Sequence, residues 1–159
     1  MYSINSIMDM LKWDKSRKIQ RKGLRLAGKV RSVNVFLQPM DSEHNKNVWE
    51  NCAKVLYEKP DETLSPYLIP LLEWLQDLTW PGAIIILERL GKYGDIEKLG
   101  FALNECVMRA YVTKDKMWLM HMSELLSYDR IIKNLQLSTI KMLKSFRVDC
   151  AEKYIFYVR

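Results

Sequence analysis

The sequence predicts an all-α fold, a short right-handed stack of antiparallel helical hairpins in the style of a HEAT-like α-solenoid. Three observations predict it. Six Gly and five Pro in 159 residues leave few turns, too few for a many-stranded β fold. Apolar residues recur at intervals of three and four along most of the chain. The segment Tyr67–Ala83, YLIPLLEWLQDLTWPGA, followed by IIILERLG, reads as helix, tight turn and second helix. A hairpin of that kind cannot bury both faces alone and must stack on neighbours.

Taken in order, Asp14 or Ser16 opens a helix to about Val30, with Ile19, Gly23, Ala27 and Val30 on its inner side. An extended connector, Asn34–Pro39, and the loop-like Met40–His44 follow. Asn45 or Asn47 caps the next helix, whose inner face is Val48, Cys52, Val55 and Leu56, and Pro60 lies just past its end. Ser65-Pro66 supplies a further start, with Leu68, Leu71, Leu72, Leu75 and Leu78 on one face. Pro70 either bends this helix or marks Ile69 as the start of its regular part. Trp80 precedes a proline and is pushed out of the α region, which ends the helix.

Pro81 then suits the first position of the second helix, with Asp77 or Thr79 as its cap. Periodicity alone leaves AIIIL open as a buried strand. The helical reading is preferred, with Ile85 and Leu87 buried and Gly91 and Gly94 as the stop. Asp95–Val112 and Asp115–Leu126 form two more helices, and Tyr128–Phe146 a last one. The tail YIFYV suits a docked extended strand. Together these make one domain over 1–159: a basic N-terminal repeat and connector (1–44), core repeats (45–127), and a C-terminal helix and tail (128–159). The positions of Asp14, Asp77 and Asp115 before successive helices fit repeats of about 30 to 40 residues.

Asn47–Leu56, NVWENCAKVL, and Pro66–Leu90, with its LLEWLQD and WPGA core, carry a family likeness. They resemble a family of small uncharacterised bacterial proteins built from HEAT-like repeats and classed as a domain of unknown function. The likeness covers Asn45–Leu126. It implies a binding architecture, is similar in kind to immunity proteins of bacterial toxin systems, and brings no catalytic residues.

Composition excludes several classes. The three cysteines, Cys52, Cys106 and Cys150, are odd in number and widely spaced, which points to reduced thiols in a cytoplasmic protein. No run is long enough for a membrane span, and the N-terminus lacks a signal-peptide pattern, so no membrane partner is expected. His44 and His121 stand alone, without the spacing of a zinc site. No phosphate-cradling, dinucleotide or nucleophile-elbow motif occurs. The expectation is no enzyme, no metal and no cofactor.

Two surfaces remain. Glu73 and Asp77, four apart, share a helix face beside Trp74 and before Trp80. They form an acidic–aromatic patch suited to a cationic protein partner, such as a basic toxin, although cap, solvated-face and core roles account for the same residues. Charge is uneven: +7 over 1–40, −6 over 41–105 and +5 over 106–159. Lys18, Arg21, Lys22, Arg25 and Lys29 form a basic stripe, the exterior of a terminal repeat or a surface for phosphates. The expected function is therefore non-catalytic protein binding, with toxin neutralisation as its sharper form. The alternative is a nucleic-acid-binding HEAT-like protein, such as a DNA glycosylase, whose stripe and Trp/Asp pair would face one groove.

Overall fold

Caps and breakers set the helix boundaries. In the structure, a computed structural model, the backbone of residues 1–156 and the side chains of residues 1–146 are described. Helices are α1 (Ile4–Met10), α2 (Arg17–Ala27), α3 (Lys46–Tyr57), α4 (Asp61–Leu64), α5 (Leu68–Glu73), α6 (Ala83–Gly91), α7 (Ile96–Val112), α8 (Lys116–Ser123), α9 (Asp129–Ile132) and α10 (Leu137–Phe156). No strand occurs among the described residues, so the fold is all-α and AIIIL is helical. Side-chain oxygens open the helices that the sequence marks. Ser16 accepts from the Ile19 N–H, Asn45 from Asn47, Asp95 from Lys98 and Asp115 from Trp118.

The apolar helix ahead of Asp14 is α1, capped by Ser3; it buries Ile7, Met8 and Leu11 against α2. Several expectations are corrected. Ile19 is exposed rather than inward, and Gly23 and Ala27 form the buried side of α2. The connector is not extended: Asn34–Phe36 is a 3-10 turn that buries Phe36. Ser65-Pro66 does not start a helix, because the chain already coils from Asp61 through α4 and a 3-10 turn at Ser65–Tyr67. Tyr67 then breaks the coil and α5 begins at Leu68, with Pro70 in its first turn, where a missing N–H costs little. The last helix is divided into α9 and α10. The expected strand YIFYV is helical as far as Phe156, and its remainder lies outside the described residues.

The turn into α6 differs from expectation in a way that explains its sequence. Trp80-Pro81-Gly82-Ala83 is a type II turn, closed by the Ala83 N–H on the Trp80 carbonyl at 3.0 Å. Gly82 has φ 83° and ψ −7°, as the third position of that turn requires. It also lies so close to α3 that a Cβ would come within 2.5 Å of the Ala53 Cβ. Pro81 thus belongs to the turn rather than to α6, and neither Asp77 nor Thr79 caps the helix. Nor do Gly91 and Gly94 stop it by a left-handed step. Gly91 is needed because a Cβ there would lie 2.2 Å from the Tyr128 ring. Ala83, Ile86, Arg89, Leu90 and Gly91 are the buried residues of α6; Ile85 and Leu87 are half-buried and Ile84 is exposed.

Helices pack on both sequential and more distant neighbours: α1 lies on α2 and α2 on α3. α3 lies on α6 and α5 on α7, while α7 and α10 both contact α8. Between them runs one core that includes Leu56, Leu72, Trp74, Leu75, Leu103 and Leu125. A helix C-terminus leaves carbonyls without intrahelical donors, and here side chains from other helices supply several. Asn51 donates to the Leu11 carbonyl at 2.8 Å. The Lys59 ammonium donates to Gly28 and Val30 at 2.8 and 2.7 Å, so a buried cation sits at the negative end of α2. Burial pushes its pKa down. Trp118 Nε1 donates to Leu72, His121 Nδ1 to Leu75, and Arg130 to Gly91.

Candidate functional site

The expected acidic–aromatic patch is closed in the structure. Trp74 is 0% exposed, and its indole N–H donates to the Pro81 carbonyl at 3.1 Å. Trp49 meets Trp74 edge-on at 6.0 Å and Trp80 at 5.5 Å, while its own N–H donates to Pro39. Only Trp80 keeps part of its surface open. A cation already occupies that surface: Lys46 Nζ lies 5.4 Å from the Trp80 ring centroid and 5.7 Å from that of Trp49.

Glu73 and Asp77 do not share a helix face, because the helical path ends at Gln76 and Asp77 is extended. Asp77 accepts from the Thr79 hydroxyl at 2.6 Å and from its N–H at 2.8 Å. These bonds hold the carboxyl below its ordinary pKa. Glu73 pairs with Arg109 at 2.7 Å, and Arg109 also holds Glu105. Trp74 therefore lines no groove.

The chemically versatile side chains are similarly committed. Cys52 and Cys106 are buried, and burial pushes both thiols up to about 12. Neither is a thiolate at neutral pH. His121 uses Nδ1 on the Leu75 carbonyl at 2.8 Å. Ligand atoms of Asp9, Glu43 and His44 lie within 4.8 Å of one another, a spacing that a metal ion could use. His44 Nε2, however, already meets Asp9 Oδ1 at 3.0 Å, which ties α1 to the loop before α3.

The basic stripe is open. Lys18, Arg21, Lys22, Arg25 and Lys29 are all exposed, and among the described residues none forms an ion pair. Lys22 Nζ lies 4.5 Å from the centroid of the Tyr2 ring.

A further surface escaped the sequence reading. α7 buries Leu99, Leu103, Cys106 and Val107, and on its other side it exposes Phe101 (66%), Met108, Tyr111 and Val112 (74%), with Met117 following at the start of α8. Phe101 stands between two open grooves. One, of about 290 Å³, runs against α5 beside Pro66, Ile69 and Glu105; the other, of about 240 Å³, faces Asn104, Leu135 and Thr139. A signal for this surface is present in the sequence. Eleven of the seventeen residues of α7 are apolar (Ala included), more than a single buried stripe can use.

No curated protein and no solved structure matches the chain. Residues 39–148, from just before α3 into α10, match the family model described as a domain of unknown function, DUF5071. That segment holds the turn at Trp80–Ala83, the tryptophan cluster and the exposed side of α7, and the chain is a member of this family.

Proposed function

We propose that this protein is a non-catalytic protein-binding module that works through the exposed side of α7. The observation that carries this is the row Phe101, Met108, Tyr111 and Val112, which stays in solvent on a helix whose opposite side is core. Aromatic and Met side chains at the centre of a contact contribute most of its energy. Against catalysis stand the buried thiols and the histidine committed to a carbonyl. The packing of α3 on α6 and of α5 on α7 is what a HEAT-like stack would use.

The sharper form of the proposal is neutralisation of a basic toxin in the cytoplasm. It rests on the −6 charge of residues 41–105, which contribute Glu97 and Glu105 to the two grooves beside Phe101. A protein of this kind blocks its partner by occlusion. Opposite fields raise the on-rate, and a few anchors lower the off-rate.

The test is biolayer interferometry against the purified products of the genes flanking this one. One of them is expected to bind. Phe101→Ser with Val112→Ser should weaken that binding by at least about 30-fold, as loss of a hot spot does. Glu73→Lys with Glu105→Lys should slow association, and added salt should shrink this difference. Binding untouched by the Phe101/Val112 pair would reject this surface. No binding to either product would reject the toxin reading.

A further inference from the structure

The outward pole of α2 carries a pattern that protein binding through α7 does not use. At 3.6 residues per turn, Arg17, Lys18, Arg21, Lys22 and Arg25 fall within an arc of about 140°, opposite the buried Gly23 and Ala27. They occupy about 12 Å of helix axis. Between Lys15 and Met40 the chain holds eight Lys/Arg and no carboxylate. An ordinary solvated helix face interleaves opposite charges at i+3 and i+4. Here Arg17–Arg21, Lys18–Lys22 and Arg21–Arg25 are like-charged neighbours, and the Lys59 ammonium adds a further cation at the end of the same helix. No carboxylate of this stretch offsets that repulsion, so the pole attracts anions from solvent.

We propose that this pole binds single-stranded nucleic acid, with the cations on successive phosphates and a base stacked on Trp13. Trp13, 63% exposed, stands directly before α2, and its carbonyl accepts from Gln20 of that helix. Tyr2, 47% exposed, lies beside Lys22. Lys22 already occupies the Tyr2 ring, and a cationic track beside one open ring, Trp13, is an arrangement that holds a single strand without reading its sequence. A bilayer would need apolar groups at the pole to insert. The apolar side chains Ile19, Leu24 and Leu26 of α2 lie outside the arc, Leu24 and Leu26 half-buried.

The experiment is fluorescence anisotropy with the full chain and a labelled oligothymidylate of about 16 nucleotides. Salt is raised from about 50 to 200 mM. Affinity should fall roughly 60-fold over that range, a slope near −3 in log–log form for four or five neutralised phosphates. Arg21→Gln/Lys22→Gln/Arg25→Gln should reduce the slope to about −1. Trp13→Ala should weaken binding by about tenfold while leaving the slope unchanged. Circular dichroism checks that each variant keeps its helix content, which these exposed positions permit. A control, Lys116→Gln/Lys133→Gln/Lys141→Gln, should bind as the parent does.

Absence of binding at the low salt would overturn the proposal. So would equal weakening by the control, or tighter binding to a duplex or to phosphatidylserine vesicles than to the single strand.

Discussion

The turn at Trp80–Ala83 and the outward side of α7 contain the same kinds of residue, aromatics beside Glu and a cation, yet they behave as opposites. At the turn, Trp49 and Trp74 each donate an indole N–H to a backbone carbonyl, their rings interlock edge-on, and Lys46 covers what Trp80 leaves open. On α7, Phe101 and Val112 face solvent beside a surface network of Glu73, Arg109 and Glu105. The contrast extends to ion pairs. Arg89, 8% exposed, meets Asp61 and the Lys59 carbonyl inside the fold, whereas Arg109 is in solvent. Residue type thus separates structural from available groups less well than the fate of each polar atom does.

The largest effect that would break this comparison is expected at Trp74. Trp74→Ala should lower stability by about 3 to 5 kcal/mol, as truncating a fully buried indole does. A denaturant midpoint close to the parent's would mean that the turn is loosely packed and Trp74 is available to a ligand after all.

Next comes the interior ion pair. Arg89→Leu should cost about 3 kcal/mol, because it leaves the Asp61 Oδ1 and the Lys59 carbonyl without the Arg89 donor and the carboxylate without its counter-charge. The same pair has a pH signature. Burial acts to raise the Asp61 pKa, but the Arg89 guanidinium and the Gly94 N–H outweigh it and hold the pKa below its ordinary value. A depressed carboxyl contributes stability that is fully present above its unfolded pKa of about 3.9 and is lost as pH falls through the folded value. Acid titrations of parent and Arg89→Leu should therefore diverge above about pH 4 and converge below it. Parallel curves would show that Asp61 gains nothing from Arg89.

The smallest effect sharpens the other side. Phe101→Ser should change stability by less than about 0.5 kcal/mol, as an exposed position does. A loss comparable to that of Trp74→Ala would make the α7 row part of the core and remove the basis for a contact surface.

Much of the architecture was legible in the sequence wherever a local signal sufficed. Ser16, Asn45, Asp95 and Asp115 announce helix starts because a cap is a contact between residues three apart or fewer. The family resemblance, read over Asn45–Leu126, falls within the 39–148 match. What escaped depended on partners distant in sequence. α1 has a cap at Ser3, but Ile7, Met8 and Leu11 become core only against α2. The segment Asp61–Gln76 alternates between α and 3-10 turns that no periodicity distinguishes. Of the proposed site, the α2 stripe was legible because charge and helical spacing place it outward. For the α7 row the sequence signals only an excess, eleven apolar residues on one helix; which of them stay exposed is decided by the neighbours that cover the other side.

The side chains that close the helix ends have a consequence for how the chain folds. Asn51, Lys59, Trp118, His121 and Arg130 each serve a carbonyl 29 to 46 residues earlier in sequence. No helix so served can complete its hydrogen bonding until a later part of the chain has docked. A growing polypeptide therefore cannot lock its early hairpins as they emerge, and the finished molecule should melt in a single cooperative transition rather than fray one hairpin at a time.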